Sequence, residues 1–290
     1  MRIIILGSNG LLGNTIIRYF FENFNYETYG FCRDSSKLGF LNKNDLQRIN
    51  IVKDIFNIED LKKKIGKIKP DVIINSIGIT NKIKNENSNF IQKIIQVNSL
   101  FPHQLQQLCL QLGIRLIHLS SDCVFSGDKG FYSEQDNPDP IDIYGKSKLL
   151  GELDYENTIT IRKSVIGHEL ITKNGLLEWF LREDGPIEGY KNAIFSGLTV
   201  LELARIINDF ILPRKDLNGI FNVSGFPISK YDLLKAISSE YQKSIKIIPN
   251  KLIKIDRSLD SSSFNKCTGY KPKKWPELIK SMHEFNSLNS

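Results

Sequence analysis

The stretch Ile3-Ile4-Ile5-Leu6-Gly7-Ser8-Asn9-Gly10-Leu11-Leu12-Gly13 decides the fold. Ile3 to Leu6 predict a short buried strand, and the apolar positions Ile16, Ile17 and Phe20 predict a helix after it. Between them the glycines stand at G-x-x-G-x-x-G spacing. Strand, glycine turn and helix is the context in which a phosphate rests on backbone N–H groups at a helix N-terminus. Gly7 permits the tight turn, Gly10 lets the backbone approach a pyrophosphate, and Gly13 lets the helix pack on the strand. Ser8, Asn9, Leu11 and Leu12 complete the expected site. Three glycines alone also suit a turn that binds nothing, so the reading depends on the strands and helices of the rest of the chain.

Strands and helices go on alternating. Glu27 to Cys32 predict a second strand, ending at Arg33. An acid there binds an adenosine ribose 2′-hydroxyl, whereas Arg33 suits a 2′-phosphate; this favours NADPH, with NADH kept open by Asp34. Ile49 to Val52 predict the third strand, and Asp54-Ile55 after it either hydrogen-bond an adenine amine and cover its ring or cap a helix. Val72, Ile73 and Ile74 mark a strand buried on both faces of a parallel sheet. Asn75, Ser76, Ile77 and Gly78 leave it where a cofactor crosses the strand ends. Asn98, on the following helix, either supports an active lysine through water or caps a kink.

Arg115 to Leu119 predict a fifth strand, delivering Ser120, Ser121, Asp122 and Cys123 to the same edge of the sheet. A helix follows with Tyr144-Gly145-Lys146-Ser147-Lys148. Residues four apart share a helix face, so Tyr144 and Lys148 aim phenol and ammonium at one point. A phenol titrates near ~10, and a neighbouring ammonium lowers that value. With a hydroxyl from Ser121 or Ser120 holding a carbonyl oxygen, the set can protonate a ketone while hydride reaches its carbon. The bland alternative is a helix-surface pair.

After a sixth strand, Thr158 to Val165, the alternation weakens. The expected fold is α/β: a Rossmann-like doubly wound parallel sheet with a smaller C-terminal substrate-binding α/β lobe. The expected NADP-binding domain covers 1–166, with 197–224 rejoining it; 167–196 and 225–290 form the lobe. In that part we expect a helix at 199–212, a strand at Gly219 to Val223, a helix at Lys230 to Tyr241, a strand at Ile245 to Ile248 and a last helix from Pro276. Trp179 and Phe180 read as core.

Composition narrows the class. The chain has 290 residues, 41% hydrophobic and 24% charged, ordinary globular values that exclude a disordered chain. Its apolar runs fall far short of the ~20 residues that span a bilayer. The N-terminus enters a strand at once, without a secretory pattern, so a cytoplasmic protein with no membrane partner is expected. Cys32, Cys109, Cys123 and Cys267 are scattered without metal-ligand spacing and read as reduced thiols. The net charge of +7 is spread over amphipathic segments, which favours a solvated surface and no nucleic-acid partner. A homodimer stays open.

With these motifs in hand, the chain resembles an extended short-chain dehydrogenase/reductase, and within that superfamily the dTDP-4-dehydrorhamnose reductases. The resemblance rests on Gly7 to Gly13, on Ser120-Ser121-Asp122-Cys123-Val124-Phe125 and on Tyr144 to Glu152; Arg162, Phe195-Ser196-Gly197 and Arg257 ahead of Leu259-Asp260 extend it over the whole chain. It implies reduction of a nucleotide-linked 4-keto-6-deoxy sugar with NADPH, in surface polysaccharide biosynthesis. It makes Tyr144 the general acid, Lys148 the group that lowers its pKa and holds the nicotinamide ribose, and Ser121 the hydroxyl orienting the carbonyl. Ser120 and Asn98 fall with the cofactor, and Asp122 and Cys123 with the sugar. Arg257 is the candidate for gripping a nucleotide diphosphate, an ordinary surface salt bridge being its alternative. His168 touches the sugar or packs a helix or loop.

The chain departs from the family at Cys123, where a tyrosine is common, and at 163–168, which leaves the identity of the sugar open. Some members are described as using magnesium. Glu134, Asp136, Asp139 and Asp142 lack a fixed ligand pattern, however, and read as a solvated loop, so no metal site is expected. An epimerase or dehydratase with bound NAD shares the scaffold; against the dehydratase, Cys123 stands where those enzymes carry a glutamate. A third reading is a non-catalytic, cofactor-binding regulatory subunit, against which the retained Tyr144 and Lys148 count.

Overall fold

The structure, a computed structural model, describes residues 1–36, 38, 41–80, 88–169 and 175–287. From the N-terminus run β1 (Arg2–Leu6), α1 (Leu11–Asn23), β2 (Glu27–Cys32), α2 (Lys43–Leu46), β3 (Ile49–Ile51) and α3 (Ile58–Ile68). There follow β4 (Val72–Asn75), α4 (Ser88–Ile95), α5 (Phe101–Leu112), β5 (Arg115–Leu119), α6 (Ile143–Leu150) and β6 (Thr158–Arg162). The remainder holds β7 (Val165–Ile166), α7 (Leu176–Arg182), β8 (Ile187–Phe195), β9 (Leu198–Thr199), α8 (Val200–Ile206) and β10 (Gly219–Asn222). It ends with β11 (Ile228–Ser229), α9 (Lys230–Glu240), β12 (Ile247–Asp256), α10 (Ser262–Thr268) and α11 (Trp275–Ser287).

The chain divides into two compact units. The first comprises Met1–Ser120, Asp142–Ile161 and Arg214–Ile220, the second Ser121–Ile141, Arg162–Pro213 and Phe221–Ser290.

The first unit is organised by a seven-stranded sheet in the order β10-β6-β5-β4-β1-β2-β3. β1 pairs in parallel with both β2 and β4, Ile3 standing beside Thr28 and Val72. Strand order reverses at β1, so the turn that leaves it opens at the switch point where open α/β sheets bind ligands. Ile3, Ile4, Ile5, Ile73 and Ile74 are fully buried, as strands covered on both faces require. One core cluster joins these strands to the helices through Leu61, Ile65, Phe101, Leu105 and Leu116.

The second unit carries a three-stranded sheet, β11-β8-β12, and the pair β7-β9. Its core gathers Phe180, Phe195, Leu233, Ile237, Trp275 and Ile279. The part expected of Phe180 as core is met, and Trp179 packs against the same cluster, partly buried.

Four local expectations change. The strand expected at Ile245 to Ile248 is β12, ten residues long, pairing in parallel with β8 and changing register between Asn250 and Lys254. Its lysines and exposed Leu252 hide the strand in a polar-looking run. The helix expected at 199–212 is α-helical only to Ile206 and continues as a π-helical turn, Ile207–Ile211. β6 stops at Arg162, and Val165–Ile166 pairs separately with β9. Asp54 does not cap α3: its Oδ1 accepts from Phe56 N at 2.9 Å, while Asn57 is the cap, its Oδ1 accepting from Asp60 N at 3.0 Å.

Candidate active site

The glycine turn is built for an anion. Gly7 has φ +82°, a left-handed conformation that costs glycine little. Its N–H and that of Ser8 donate to Phe31 O at 2.8 and 3.2 Å, tying the turn to β2. A Cβ on Gly13 would stand 2.2 Å from Gly7 O, so only glycine lets α1 start this close to the turn. A Cβ on Gly10 would meet nothing nearer than Gly7 O at 3.4 Å, and Gly10 is exposed. No side chain caps α1 and no acid lies in its first turn. The first-turn N–H groups of a helix have no intrahelical partner. Uncapped amides beside an open glycine fit a dinucleotide pyrophosphate.

At the end of β2, Arg33 is exposed. The carboxylate of Asp34 accepts from Ser36 N and from Ser36 Oγ, both at 2.8 Å, while its carbonyl accepts from Asn9 Nδ2 at 3.2 Å. The acid that kept NADH open is thus engaged in its own turn.

At the exit of β4, Asn75 is fully buried. Its Nδ2 donates to His118 Nδ1 at 3.1 Å and its Oδ1 accepts from Ile77 N at 3.1 Å, so it shapes the strand exit. Ser76 Oγ donates to Leu6 O at 2.5 Å. Asn98 lies in a π-helical turn, Gln96–Leu100, which fits the kink reading. Its amide accepts from Ile79 N and donates to Ile79 O, each at 2.8 Å, and donates to Ser147 Oγ at 3.0 Å. Asn98 therefore clamps the β4 exit to α6.

α6 presents Tyr144 and Lys148. Asp142 caps it, Oδ1 accepting from Gly145 N at 2.7 Å. This gives one of the loop acids a defined role that an acid ahead of an apolar helix signals in sequence. Lys148 is 3% exposed and donates to Leu119 O at 2.8 Å. Tyr144 is half-buried, and its carbonyl accepts from Ser147 Oγ at 2.7 Å. Ser99 Oγ donates to Ser147 O at 2.9 Å, and a Cβ on Gly151 would come within 1.8 Å of Asn98 O. Ser120 Oγ donates to Glu152 Oε1 at 2.7 Å. Sequence reasoning misses Ser147 and Glu152, because their partners lie tens of residues away.

The expected sugar-facing residues belong to the second unit. Ser121 Oγ accepts from Cys123 N at 3.2 Å and donates to Asp122 Oδ1 at 3.1 Å, capping a one-turn 3-10 helix, Asp122–Val124. Arg257 Nη1 donates to Cys123 Sγ at 3.4 Å and its Nε to Ser126 O at 3.3 Å. Lys163 and Lys230 interact electrostatically with Asp122 and Cys123; burial pushes both ammonium groups below the usual lysine range, and these two partners oppose it. Sequence reasoning marks Lys163 within the 163–168 departure without a role for its charge, and misses Lys230, which arrives from α9 without any local signal. His168 bonds on both ring nitrogens, Nδ1 to Glu178 Oε1 and Nε2 to Tyr241 OH, each at 2.8 Å, as a packing histidine does.

Three more loop acids hold the second unit together. Asp139 accepts from Ser126 N and Oγ, Glu134 from Asn222 N, and Asp136 from Ser133 and Lys129, contacts that hold the Asp136 carboxyl down at about 2. Among the described residues no group of three or more His, Cys, Asp or Glu could hold a metal ion.

With this geometry in place, comparison with known families gives a match to the RmlD substrate binding domain over residues 1–181. The chain belongs to the RmlD substrate binding domain family. That match contains the whole glycine turn and the Tyr144 helix. Among curated proteins it is 27% identical to dTDP-4-dehydrorhamnose reductase of Aggregatibacter actinomycetemcomitans over 312 residues, covering 98% of this chain and 99% of that protein. It is 29% identical to methionine adenosyltransferase 2 subunit beta of Bos taurus over 153 residues, 52% of this chain and 41% of that one. The crystal structure of dTDP-4-dehydrorhamnose reductase from Bacillus anthracis str. Ames in complex with NADP matches at TM-score 0.78 and 24% identity, covering 98% of this chain and 99% of that one. At that identity the likeness shows the fold. Family and architecture thus agree with what the motifs imply.

Proposed function

We propose that this RmlD-family protein is an NADPH-dependent reductase of a nucleotide-linked 4-keto-6-deoxy sugar, of the kind named in its dTDP-4-dehydrorhamnose reductase relative. The observation that carries the reading is the pairing of Tyr144 and buried Lys148 on one face of α6, in a unit whose glycine turn stands open to a pyrophosphate. A bound nicotinamide supplies hydride to the keto carbon. Tyr144 gives its phenolic proton to the keto oxygen, and the Lys148 ammonium, fixed on Leu119 O, favours the phenolate that results. Ser121 turns its hydroxyl from Asp122 to the carbonyl oxygen. The amides at the start of α1 hold the pyrophosphate and Arg33 takes the 2′-phosphate, since the Asp34 carboxylate is committed to Ser36. Arg257 offers a guanidinium fork to the substrate diphosphate. The product is an activated 6-deoxy sugar, the form that glycosyl transfer into a surface polysaccharide consumes.

Tyr144→Phe tests the acid. The variant is expected to bind NADPH as the parent does and to lose turnover by roughly a hundred-fold or more, the usual scale of general acid catalysis. Full turnover by that variant overturns the assignment. A second reading, a regulatory subunit, draws on the likeness to the methionine adenosyltransferase subunit over half the chain. It predicts cofactor binding, a stable partner enzyme and no turnover of any nucleotide sugar.

A further inference from the structure

Cys123 differs from the other thiols of the chain. Cys32 and Cys109 are buried, and burial pushes both thiols up, Cys109 to about 12. Cys267 is exposed on α10. Cys123 is half-buried and stands among cations of three different segments. The Arg257 guanidinium, beyond β12, donates to its sulfur at 3.4 Å. Lys163, beyond β6, and Lys230, at the start of α9, both act on it electrostatically. Asp122 also faces it, its Oδ1 3.7 Å from Sγ.

Lys163 brings a buried cation to Asp122 and Cys123. It is 7% exposed, among the described residues its ammonium takes no hydrogen bond, and its electrostatic partners are Asp122 and Cys123. A buried ammonium costs free energy unless a negative charge answers it. Lys230 compounds the demand; its ammonium lies 4.1 Å over the Phe195 ring. Arg257, Lys163 and Lys230 thus bring three cations to Asp122 and Cys123, and a Cys123 thiolate adds negative charge to answer them.

We propose that Cys123 is a modification site, a reactive thiol that takes soft electrophiles and hydroperoxides. Its thiolate is the nucleophile, and cationic, partly exposed surroundings are what make a thiol reactive. With an alkyl halide, the S–C bond forms as the carbon–halogen bond breaks and halide leaves. With a hydroperoxide, sulfur attacks the terminal oxygen, the O–O bond breaks, and the alkoxide or hydroxide released takes a proton from water. Sulfur is oxidised by two electrons to the sulfenic acid and the hydroperoxide is reduced to alcohol or water. On the reductase reading, an adduct two residues from Ser121 stops keto-sugar turnover. Labelling of the thiol itself decides the proposal whether or not that reading holds.

The full chain is treated with iodoacetamide across about pH 6 to pH 10, and each cysteine-containing peptide is followed by mass spectrometry. Each cysteine is scaled to its own high-pH rate, so exposure cancels. Cys123 is expected to reach half its limiting rate at about pH 7 or below, against roughly 8.5 for a free thiol in water. Lys163→Met, and independently Lys230→Met in case the first fails to fold, should move the Cys123 midpoint upward and leave that of Cys267 in place. Hydrogen peroxide followed by a sulfenic-acid trap should mark Cys123 first. A Cys123 midpoint at about 8.5 or higher, one that neither lysine variant moves, or first trapping at Cys267, overturns the proposal.

Discussion

Arg33 and Asp34 show how much one hydrogen-bonded turn decides. In sequence the two are adjacent charges of opposite sign, either of which can meet the adenosine ribose. In the structure Ser36 takes both oxygens of the Asp34 carboxylate, and Arg33 stands exposed beside the turn. Arg33→Ser is therefore expected to weaken NADPH by roughly ten- to hundred-fold, the worth of a charge-assisted hydrogen bond, with NADH little changed. Binding titrations with both cofactors check this; an equal loss for both places Arg33 elsewhere than on the 2′-phosphate. At this scale the sequence is most legible where a motif lies within one element. Tyr144 and Lys148 share α6, and their relation follows from helical geometry alone. It is least legible where partners meet across the chain: Lys163 and Lys230 reach Cys123 from separate segments, Glu152 reaches Ser120, and Asn98 reaches Ser147. His168 illustrates the same limit, because its ring bonds to Glu178 and Tyr241, of which Tyr241 lies far along the chain.

The first strand–turn–helix separates two uses of glycine that look alike in sequence. Gly13 is needed by the fold, since a Cβ there would meet Gly7 O at 2.2 Å. Gly10 has φ −85° and ψ 171°, angles any residue adopts, and room for a methyl group. Gly13→Ala is accordingly expected to lower the melting temperature and to abolish cofactor binding with it. Gly10→Ala should keep the parent's melting temperature while NADPH binds at least about ten-fold more weakly, because the methyl group enters the space where a pyrophosphate meets the amides. Calorimetry and cofactor titration on the two variants make the check; unchanged NADPH affinity in Gly10→Ala removes the pyrophosphate from that turn. Strand periodicity and the glycine turn place β1, β2 and β5 almost to the residue. β12 is found only at its start because its later part, with lysines and an exposed leucine, carries no clean alternation, and the π-helical turns escape because they depend on packing, not on local pattern.

Across the molecule, the doubly wound sheet, the switch-point turn and the RmlD substrate binding domain family are the frame on which the proposed reductase reading rests. The parallel sheet is readable from β-branched runs with glycine exits. The partition into compact units is not, because 121–141 follows the fifth strand in sequence but packs with the second unit. A reductase and an epimerase share such a scaffold and differ in the fate of the hydride: a reductase consumes one cofactor per sugar, an epimerase returns it. The direct test is the absorbance of NADPH on mixing the purified protein with a dTDP-linked 4-keto-6-deoxy sugar. Stoichiometric oxidation of NADPH to give the reduced sugar is predicted. Conversion of the sugar with no net NADPH loss, or no conversion of any nucleotide keto sugar by a protein that still binds NADPH, would contradict it.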